Sequence, residues 1–395
     1  MKIPYLLLAL ILAALNAIGP FSIDTYLPAF PAIEQGLATN TLSVQQSLTA
    51  YMLPFSLMML WHGALSDALG RRSVILVGMA IYLAASLLCV FAPNIELLWL
   101  GRALQGLSAG AGVIVGRAIV RDLLDGPAAQ RLMSHVALVF AIAPGVAPII
   151  GGALAEAWGW RAIFALLAIM AAALMLLVWT QLPETLPADK RQSLHPVDLL
   201  RAYGSVFGDH RFVLLSLAMA SLFGGFFIYV MSAPVFLMQH LHLDATQFGW
   251  LFVPLVLGMM GGSILSARLA GRLSPMATVK LAYVIVAVAT LLNLALSLLL
   301  PDTLATRIPQ LALYTLGMST AMPTLTLHAL DMFPQRRGLA ASCQGAIQTL
   351  VMAFAAGVIA PLVWSTTLHL ALAGAASLLL SALACWIATR QPRSD

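Results

Sequence analysis

The stretch that decides the fold lies at residues 58–91, which read MMLWHGALSDALGRRSVILVGMAIYLAASLLCVF. Its charged side chains, Asp67, Arg71 and Arg72, stand together between two apolar runs. A helix that spans a bilayer needs about 20 mostly apolar residues. Gly63 precedes the charged group and Gly70 lies within it, and glycine permits a tight turn. The stretch therefore predicts two membrane-spanning helices joined by a short charged turn.

The same alternation of long apolar runs and short charged turns covers the 395-residue chain. Hydrophobic residues make up 61% and charged residues 9%, against about 25% charged residues in an average soluble domain, and the mean hydropathy is +0.95. Because no soluble core can bury this much apolar surface, we predict an all-α polytopic membrane protein. The twelve predicted transmembrane helices lie at residues 4–26, 44–66, 73–93, 96–119, 133–155, 160–182, 212–238, 247–269, 276–300, 308–330, 339–363 and 367–389.

The first apolar run resembles a signal peptide because it follows Lys2. It is long enough to span a membrane, and eleven comparable runs follow it. We therefore interpret it as a retained first helix and not as a cleaved leader.

The positive charges predict the orientation in the membrane. Of the nineteen Lys and Arg residues that we assign to loops, seventeen fall in loops of one side and two in loops of the other. Cytoplasmic loops carry this excess, so both termini are predicted to be cytoplasmic. The net charge of +5 is therefore a topology signal, and we expect no nucleic-acid partner.

A hydrophilic segment at 183–211 divides the chain into residues 1–182 and 212–395, with six predicted helices in each part. Two six-helix bundles of equal orientation indicate a duplicated transporter with a pathway between its halves. A faint internal echo agrees, because Gly70-Arg71 after the second helix is matched by Gly271-Arg272 after the eighth.

The charged turn after the second helix predicts a cytoplasmic latch. Ion pairs there form when helix ends close together, so they stabilise one conformation of a transporter. The predicted latch residues are Gly63, Asp67, Gly70, Arg71, Arg72 and Asp122, the last as a partner for Arg71. The alternative is a turn whose arginines only set the topology.

Two further helices carry unusual residues. Arg102 in the fourth helix costs several kcal/mol if it faces lipid at the bilayer centre, so it either serves transport or extends to the nearby interface. The fifth helix contains Pro144, Ala147 and Pro148, followed by Gly151-Gly152. Proline removes backbone hydrogen bonds and glycine permits close helix approach, which predicts a bendable and tightly packed helix, or a plain structural kink.

Asp24 is the acidic residue that we place inside a predicted span. A carboxylate in a partly dry cavity can take up and release protons as its surroundings change. We predict that it couples transport to a proton gradient, together with Arg102. The alternative is that Asp24 only terminates the first helix ahead of Pro28.

These motifs together resemble the Bcr/CflA drug:proton antiporters of the major facilitator superfamily. Residues 63–72 resemble the superfamily's G-x-L-[SA]-D-R-x-G-R-[RK] loop, with Ala68 in place of a basic residue. Residues 102–106 resemble its R-x-x-Q-G motif, and 143–152 resemble the antiporter motif G-P-x-x-G-G, with Ala147 in place of glycine. The branch itself is indicated by 23–29, 159–164, 182–185 and 333–338.

The resemblance implies the major facilitator fold and proton-driven export of small amphipathic drugs, such as bicyclomycin-like, sulphonamide or phenicol antibiotics. Its arginine in the fourth helix is implicated in proton coupling, which here falls on Arg102. Several multidrug relatives carry a second acidic residue where this chain has Asn16. One titrating carboxylate implies less tolerance of divalent cationic drugs.

Aromatic and amide side chains on five helices suit an amphipathic solute, although packing is an equal explanation for each. The substrate-cavity candidates are Asn16, Tyr51, Phe55, Gln105, Phe223, Phe227, Tyr229, Gln344 and Gln348. His240 and His242 offer a weak metal pattern without further ligands, so we predict no metal and no cofactor.

The sequence therefore predicts a monomeric, multi-pass transporter of the bacterial inner membrane that is driven by the proton gradient. The alternative is a permease for a native metabolite, such as an amino acid or a sugar derivative. We expect no enzyme activity, because the predicted spans hold no paired catalytic acids, metal cluster or activated nucleophile.

Overall fold

The computed structural model describes residues 3–124, 126–191 and 195–390. The chain forms two compact units, which meet at residues 199 and 200, inside the segment 183–211. The first unit contains α1 (Tyr5–Asp24), α2 (Phe30–Gly36), α3 (Thr41–Leu69), α4 (Arg71–Val90), α5 (Ile95–Leu123), α6 (Gly126–Trp158) and α7 (Arg161–Gln181).

A short helix, α8 (Pro196–Phe207), contains the position in the chain at which the two units are divided. The second unit continues with α9 (His210–Met231), α10 (Gly249–Leu269), α11 (Pro275–Leu299), α12 (Leu304–Leu330), α13 (Arg337–Phe354), α14 (Ala360–Val363) and α15 (Thr367–Arg390). Two segments are π-helical, Pro234–His240 after α9 and Ala355–Ile359 between α13 and α14.

All twelve predicted spans fall on helical segments, and the structure corrects several of their boundaries. Over the described residues, eleven helical segments are long and apolar enough to cross a membrane. The tenth predicted span, α12, has 27 helical residues but carries Thr306, Arg307 and Gln310 in its first two turns. The first span is longer than predicted, because a 3₁₀ turn at Leu27–Ala29 joins α1 to α2. Helix α8 was not predicted.

Side-chain caps fix where several helices begin. The Asn40 side chain accepts a hydrogen bond from the amide of Ser43 at 2.8 Å, and Asn94 accepts one from Leu97 at 3.0 Å. Such caps satisfy amides that have no partner within the helix. The two residues thus start α3 and α5, the helices that carry Tyr51 and Arg102.

The two units use the same helix arrangement. In the first unit α5 packs on α1, α3 and α4, while α1 also packs on α6 and α7, and α4 on α7. In the second unit α12 packs on α9, α10 and α11, while α9 also packs on α13 and α15, and α11 on α15. These six pairings correspond helix for helix, as expected for a duplicated bundle, whereas the contact of α3 with α4 has no counterpart of equal extent between α10 and α11.

Candidate functional site

Arg102 lies in the interior of the first unit. It is fully buried on α5, so its side chain faces neither lipid nor solvent. Its Nη1 donates to Gln105 Oε1 at 2.8 Å, and Gln105 Nε2 donates in turn to Ser86 Oγ at 2.8 Å. The guanidinium carbon lies 5.1 Å from the centre of the Tyr26 ring and 4.6 Å from that of Tyr51. Two aromatic faces thus stabilise the cation, which forms no ion pair with a carboxylate in the described part of the chain.

Two donors of Arg102 remain unused. Within the described part of the chain, its Nε and Nη2 are buried without a hydrogen-bond partner. A buried guanidinium normally has its donors satisfied, because an unpaired buried donor costs free energy. Arg102 is therefore able to receive a bidentate acceptor such as a carboxylate.

Asp24 is the last residue of α1 and is 5% exposed. Among the described residues it forms no ion pair with Arg102. The helix α1 ends at Asp24, and the turn residues Thr25 and Tyr26 separate it from the 3₁₀ turn Leu27–Ala29 and from α2, so helix termination stays an alternative explanation of this residue. A carboxylate at a helix C-terminus is, however, unfavourable for the helix dipole.

Two glycines hold α3, α5, α1 and α6 close enough to form this interior. A Cβ atom at Gly106 would overlap the carbonyl oxygen of Tyr51, and one at Gly151 would overlap that of Thr25. Gly106 lies one turn after Arg102, and Thr25 follows Asp24 directly. The close contacts therefore fix the backbone beside both predicted coupling residues.

The predicted motif on α6 packs against α1. Ala147, Pro148, Gly151 and Gly152 are buried, and Pro144 is half-buried within one continuous helix. On α1 itself, Asn16 is buried and its Nδ2 donates to the carbonyl of Leu12 at 2.9 Å. Its side chain thus binds its own helix.

The cluster at the α3–α4 turn is centred on Arg71, whose side chain is 8% exposed. Its Nη1 donates to Asp67 Oδ1 at 2.5 Å and to Ser66 Oγ at 2.6 Å. Its Nε donates to Asp122 Oδ2 at 3.0 Å, the contact that the sequence analysis predicted. All of these residues belong to the first unit. The cluster therefore joins the ends of α3, α4 and α5 within one bundle.

Glu184 completes this cluster and was not among the predicted latch residues. Its Oε1 accepts a hydrogen bond from the amide of Arg71 at 2.9 Å, and its Oε2 accepts one from the amide of Arg72 at 3.2 Å. The Arg72 guanidinium donates to the carbonyls of Val178 and Trp179 at the end of α7. The start of α4 is thus bound to the end of α7 by two sets of hydrogen bonds. Its amides donate to Glu184, and its Arg72 side chain donates to carbonyls of α7.

The two predicted latch glycines have different environments. Gly70 has φ +96°, and a Cβ there would lie 2.5 Å from Glu184 Oε2, so the turn requires glycine. Gly63 lies inside α3, where an added Cβ would meet only Ile114, at 3.7 Å. The prediction that both glycines form the turn is therefore wrong for Gly63.

The substrate-cavity candidates divide between the two units. Tyr51, stacked on Phe55, and Gln105 contact Arg102 or its neighbours in the first unit. In the second unit, Phe223 contacts the rings of Phe226 and Phe227. The other second-unit candidates are Tyr229, which accepts a hydrogen bond from Asn293, Gln344, which is buried against Met219, and Gln348, which is half-exposed.

The histidine pair of the outer loop has no metal-like arrangement. His240 Nε2 lies 2.7 Å from the carbonyl oxygen of Trp364. Over the described residues, no group of three or more His, Cys, Asp or Glu side chains is placed to hold a metal ion.

Comparisons with known proteins agree with this architecture. The D-xylose–proton symporter has a similar structure, with a TM-score of 0.73 and 14% identity over 98% of this chain and 97% of that one. The structure of the human organic anion transporter MFSD10 (TETRAN) gives a TM-score of 0.71 and 18% identity, over 98% of this chain and 99% of that one. At these identities the likeness shows the fold.

Sequence relatives extend over most of the chain. An uncharacterized MFS-type transporter, YdgK of Bacillus subtilis (strain 168), is 32% identical over 91% of this chain and 88% of its own. Multidrug resistance protein D of Escherichia coli (strain K12) is 28% identical over 87% and 86%, respectively. A bicyclomycin resistance protein homolog of Haemophilus influenzae is 26% identical over 96% and 95%.

The profile of the Major Facilitator Superfamily matches residues 9–356. With the twelve helical segments and the repeated six-helix arrangement, this match makes the protein a multi-pass membrane transporter of small molecules. The chain belongs to the Major Facilitator Superfamily.

Proposed function

We propose that the protein exports small amphipathic drugs across the bacterial inner membrane in exchange for protons, by alternating access and as a monomer. The observation that carries the export of drugs is the similarity, over nearly the whole chain, to relatives described by multidrug and bicyclomycin resistance. The substrate crosses the membrane chemically unchanged. The proton gradient supplies the energy for transport, so no cofactor is required.

The interior of the first unit supports proton coupling. Burial penalises the ionised form of a carboxylate unless a cation or hydrogen-bond donors compensate it. Asp24 is buried and has no ion-pair partner among the described residues, whereas Arg102 has two unused donors. We propose that Asp24 is protonated in the arrangement seen here. Ionised Asp24 then moves to the free Nε and Nη2 of Arg102, and α1 moves with it.

Interconversion of the arrangement with protonated Asp24 and the arrangement with Asp24 paired to Arg102 couples proton binding to drug binding. A neutral Asp24 leaves Arg102 on its aromatic neighbours Tyr26 and Tyr51. An ionised Asp24 paired with Arg102 displaces these contacts, which changes the surface that Tyr51 and Phe55 offer to an amphipathic solute. Proton uptake and drug binding thereby favour opposite arrangements, as antiport requires.

The cluster around Arg71 supports a gating role at the cytoplasmic end of the first unit. Asp67 and Asp122 each form an ion pair with the Arg71 guanidinium, so removing either carboxylate removes one of the two ion pairs that join the helix ends. We expect Asp67→Asn to reduce transport while expression is retained. Labelling of single cysteines on the cytoplasmic side should increase. Unchanged transport in Asp67→Asn would remove this cluster from the mechanism.

The experiment that tests the function compares cells that overproduce the protein with cells that overproduce Asp24→Asn. We expect the wild type to raise resistance to several amphipathic antibiotics and the variant to raise none at equal membrane abundance. In inverted vesicles with a proton gradient, the same drugs should be accumulated and should release protons. Metabolite transport without any drug transport would instead favour a permease for a native metabolite.

A further inference from the structure

The connection between α10 and α11 carries three positive charges, which we call the basic turn. Arg268 lies in the last turn of α10, Arg272 lies in the connection itself, and Lys280 lies in the second turn of α11. All three residues are exposed. Within the described part of the chain, none of them forms an ion pair or a side-chain hydrogen bond. The basic turn is therefore a group of uncompensated cations.

The equivalent turn of the first unit contains its own counter-charge. Gly70 and Gly271 occupy the same place in the two turns, with φ of +96° and +77°. Three residues before this glycine, the first unit has Asp67, which forms an ion pair with Arg71. The second unit has Arg268 at that place. The repeat thus has a cation in one unit where it has a carboxylate in the other.

The carboxylates next to the corresponding helix ends of the second unit are engaged elsewhere. Asp331, which follows α12, forms an ion pair with Arg337 at 2.7 Å. Asp209, which precedes α9, accepts hydrogen bonds from the amides of Arg211 and Phe212 at 2.9 and 3.0 Å. Neither carboxylate compensates the basic turn.

The backbone keeps the three cations at one end of the two helices. The amides of Arg272 and Leu273 both donate to the carbonyl of Leu269 at 3.0 Å, so the chain turns directly after α10. Helix α11 begins at Pro275, and Lys280 lies five residues later, about 8 Å along the helix axis. A lysine at this depth can extend its ammonium group toward the membrane interface.

Lys280 stands at the head of an apolar stripe on α11. The next residues at helical spacing, three or four apart, lie on the same face as Lys280. They are apolar, and between 45% and 65% of each is exposed, at Val284, Val288 and Leu291. In a membrane such a face contacts acyl chains. The surface therefore joins a basic end to an apolar stripe, which complements a molecule with an anionic head and apolar tails.

Basic groups at a membrane interface attract anionic lipids, whereas a zwitterionic headgroup brings no net charge to compensate them. We propose that the basic turn is a binding site for the headgroup phosphate of an anionic phospholipid, whose acyl chains lie along the apolar stripe of α11. The bound lipid supplies to the second unit the counter-charge that Asp67 supplies to the first.

Thermal unfolding of the purified protein in a neutral detergent tests which chemistry binds. Phosphatidylglycerol should raise Tm in a saturable manner, because a ligand of the folded state stabilises it. Phosphatidylcholine with the same acyl chains, and inorganic phosphate at the same concentration, should leave Tm unchanged. An equal rise with phosphatidylcholine would contradict recognition of an anionic headgroup. An equal rise with inorganic phosphate would show a site for a free anion and would overturn the lipid site.

Arg272→Gln/Lys280→Gln tests where the lipid binds. The phosphatidylglycerol concentration that gives half of the Tm rise should increase about fivefold for each charge removed. The matched control is Arg131→Gln/Arg336→Gln, which removes two exposed cations outside the basic turn and should leave that concentration unchanged. Without lipid, both variants should unfold at the wild-type Tm, because the altered side chains are exposed.

Two outcomes would count against the location. Equal weakening in the control variant would show that the lipid responds to the total charge of the protein and not to the basic turn. Wild-type lipid dependence in Arg272→Gln/Lys280→Gln would exclude the basic turn directly. Arg272→Lys/Lys280→Arg keeps both charges and should bind phosphatidylglycerol like the wild type, whereas a loss as large as that of the glutamine variant would contradict an electrostatic site.

Discussion

Glu184 is a carboxylate that serves four backbone amides. Besides the amides of Arg71 and Arg72, its Oε1 accepts from those of Thr185 and Leu186, at 3.0 Å each. An anion at a helix N-terminus is stabilised by the unpaired amides and by the helix dipole. Glu184 therefore fixes the start of α4 and the course of the chain after α7 at once.

We expect Glu184→Gln to lower the free energy of unfolding by about 1–2 kcal/mol, because a neutral amide accepts these hydrogen bonds less strongly. Thermal unfolding in detergent measures the change. The matched control is Asp331→Asn, which removes the exposed ion pair of Arg337 and Asp331 at 2.7 Å and should cost at most about 0.5 kcal/mol. Equal effects of the two variants would show that Glu184 does not hold α4.

At this scale the sequence revealed the isolated charges but not their partners. Asp24 and Arg102 stand out because each interrupts an apolar run, and both are buried in the structure. Glu184 could not be chosen in this way, since it lies in a polar segment and two of its four partner amides lie more than a hundred residues earlier. The unpaired state of the two Arg102 nitrogens is likewise a property of packing alone.

Helix α6 controls the surroundings of Asp24 through its contact with α1. Gly151 faces the carbonyl oxygen of Thr25 so closely that no side chain fits between the two helices. The Pro and Gly pattern predicted a tightly packed helix, but the periodicity contains no information on which helix it meets. The contact shows that the motif packs against the segment that carries Asp24.

We expect Gly151→Ala to force α6 from α1, to destabilise the protein by about 1–3 kcal/mol and to reduce transport. The matched control is Gly19→Ala on α1, where an added Cβ meets nothing within 4 Å. Its transport should equal that of the wild type. The transport rate and Tm of both variants are measured against the wild type. A wild-type transport rate and Tm in Gly151→Ala would contradict the close contact.

Other elements escaped prediction because their signals are not hydropathic. The π-helical segments Pro234–His240 and Ala355–Ile359 differ from α-helix by one hydrogen-bond step, which apolar periodicity does not register. Helix α8 is short and lies within a polar segment. Its 12 residues are far fewer than a span requires, so the search for spans passed over it.

The whole molecule repeats one bundle, and this repeat was only faintly visible in the sequence. Gly70-Arg71 and Gly271-Arg272 are a weak echo, whereas six helix pairings of the first unit recur in the second. Helix packing depends on which faces are small and apolar, so it persists after sequence identity is lost. The helix count was thus predictable, and the pairings were not.

The topology follows from the charges and is testable on the whole molecule. A reporter fused after Asp395, or inserted within 187–205, should read cytoplasmic, because the Lys and Arg excess lies on that side. A reporter inserted at 37–40, the short link between α2 and α3, should read the opposite side. A non-cytoplasmic signal from the 187–205 insertion would contradict the arrangement of six helices on each side of this segment.

The measurement that tests the central claim most directly is drug-induced proton release by Asp24→Asn in inverted vesicles. Asparagine keeps the shape of the side chain but carries no titrating proton, so a coupling residue and a structural residue respond differently. We predict that the variant binds drug and equilibrates it passively, but loses gradient-driven accumulation, its pH dependence and proton release. Accumulation and proton release at wild-type rates in Asp24→Asn would place the coupling site elsewhere.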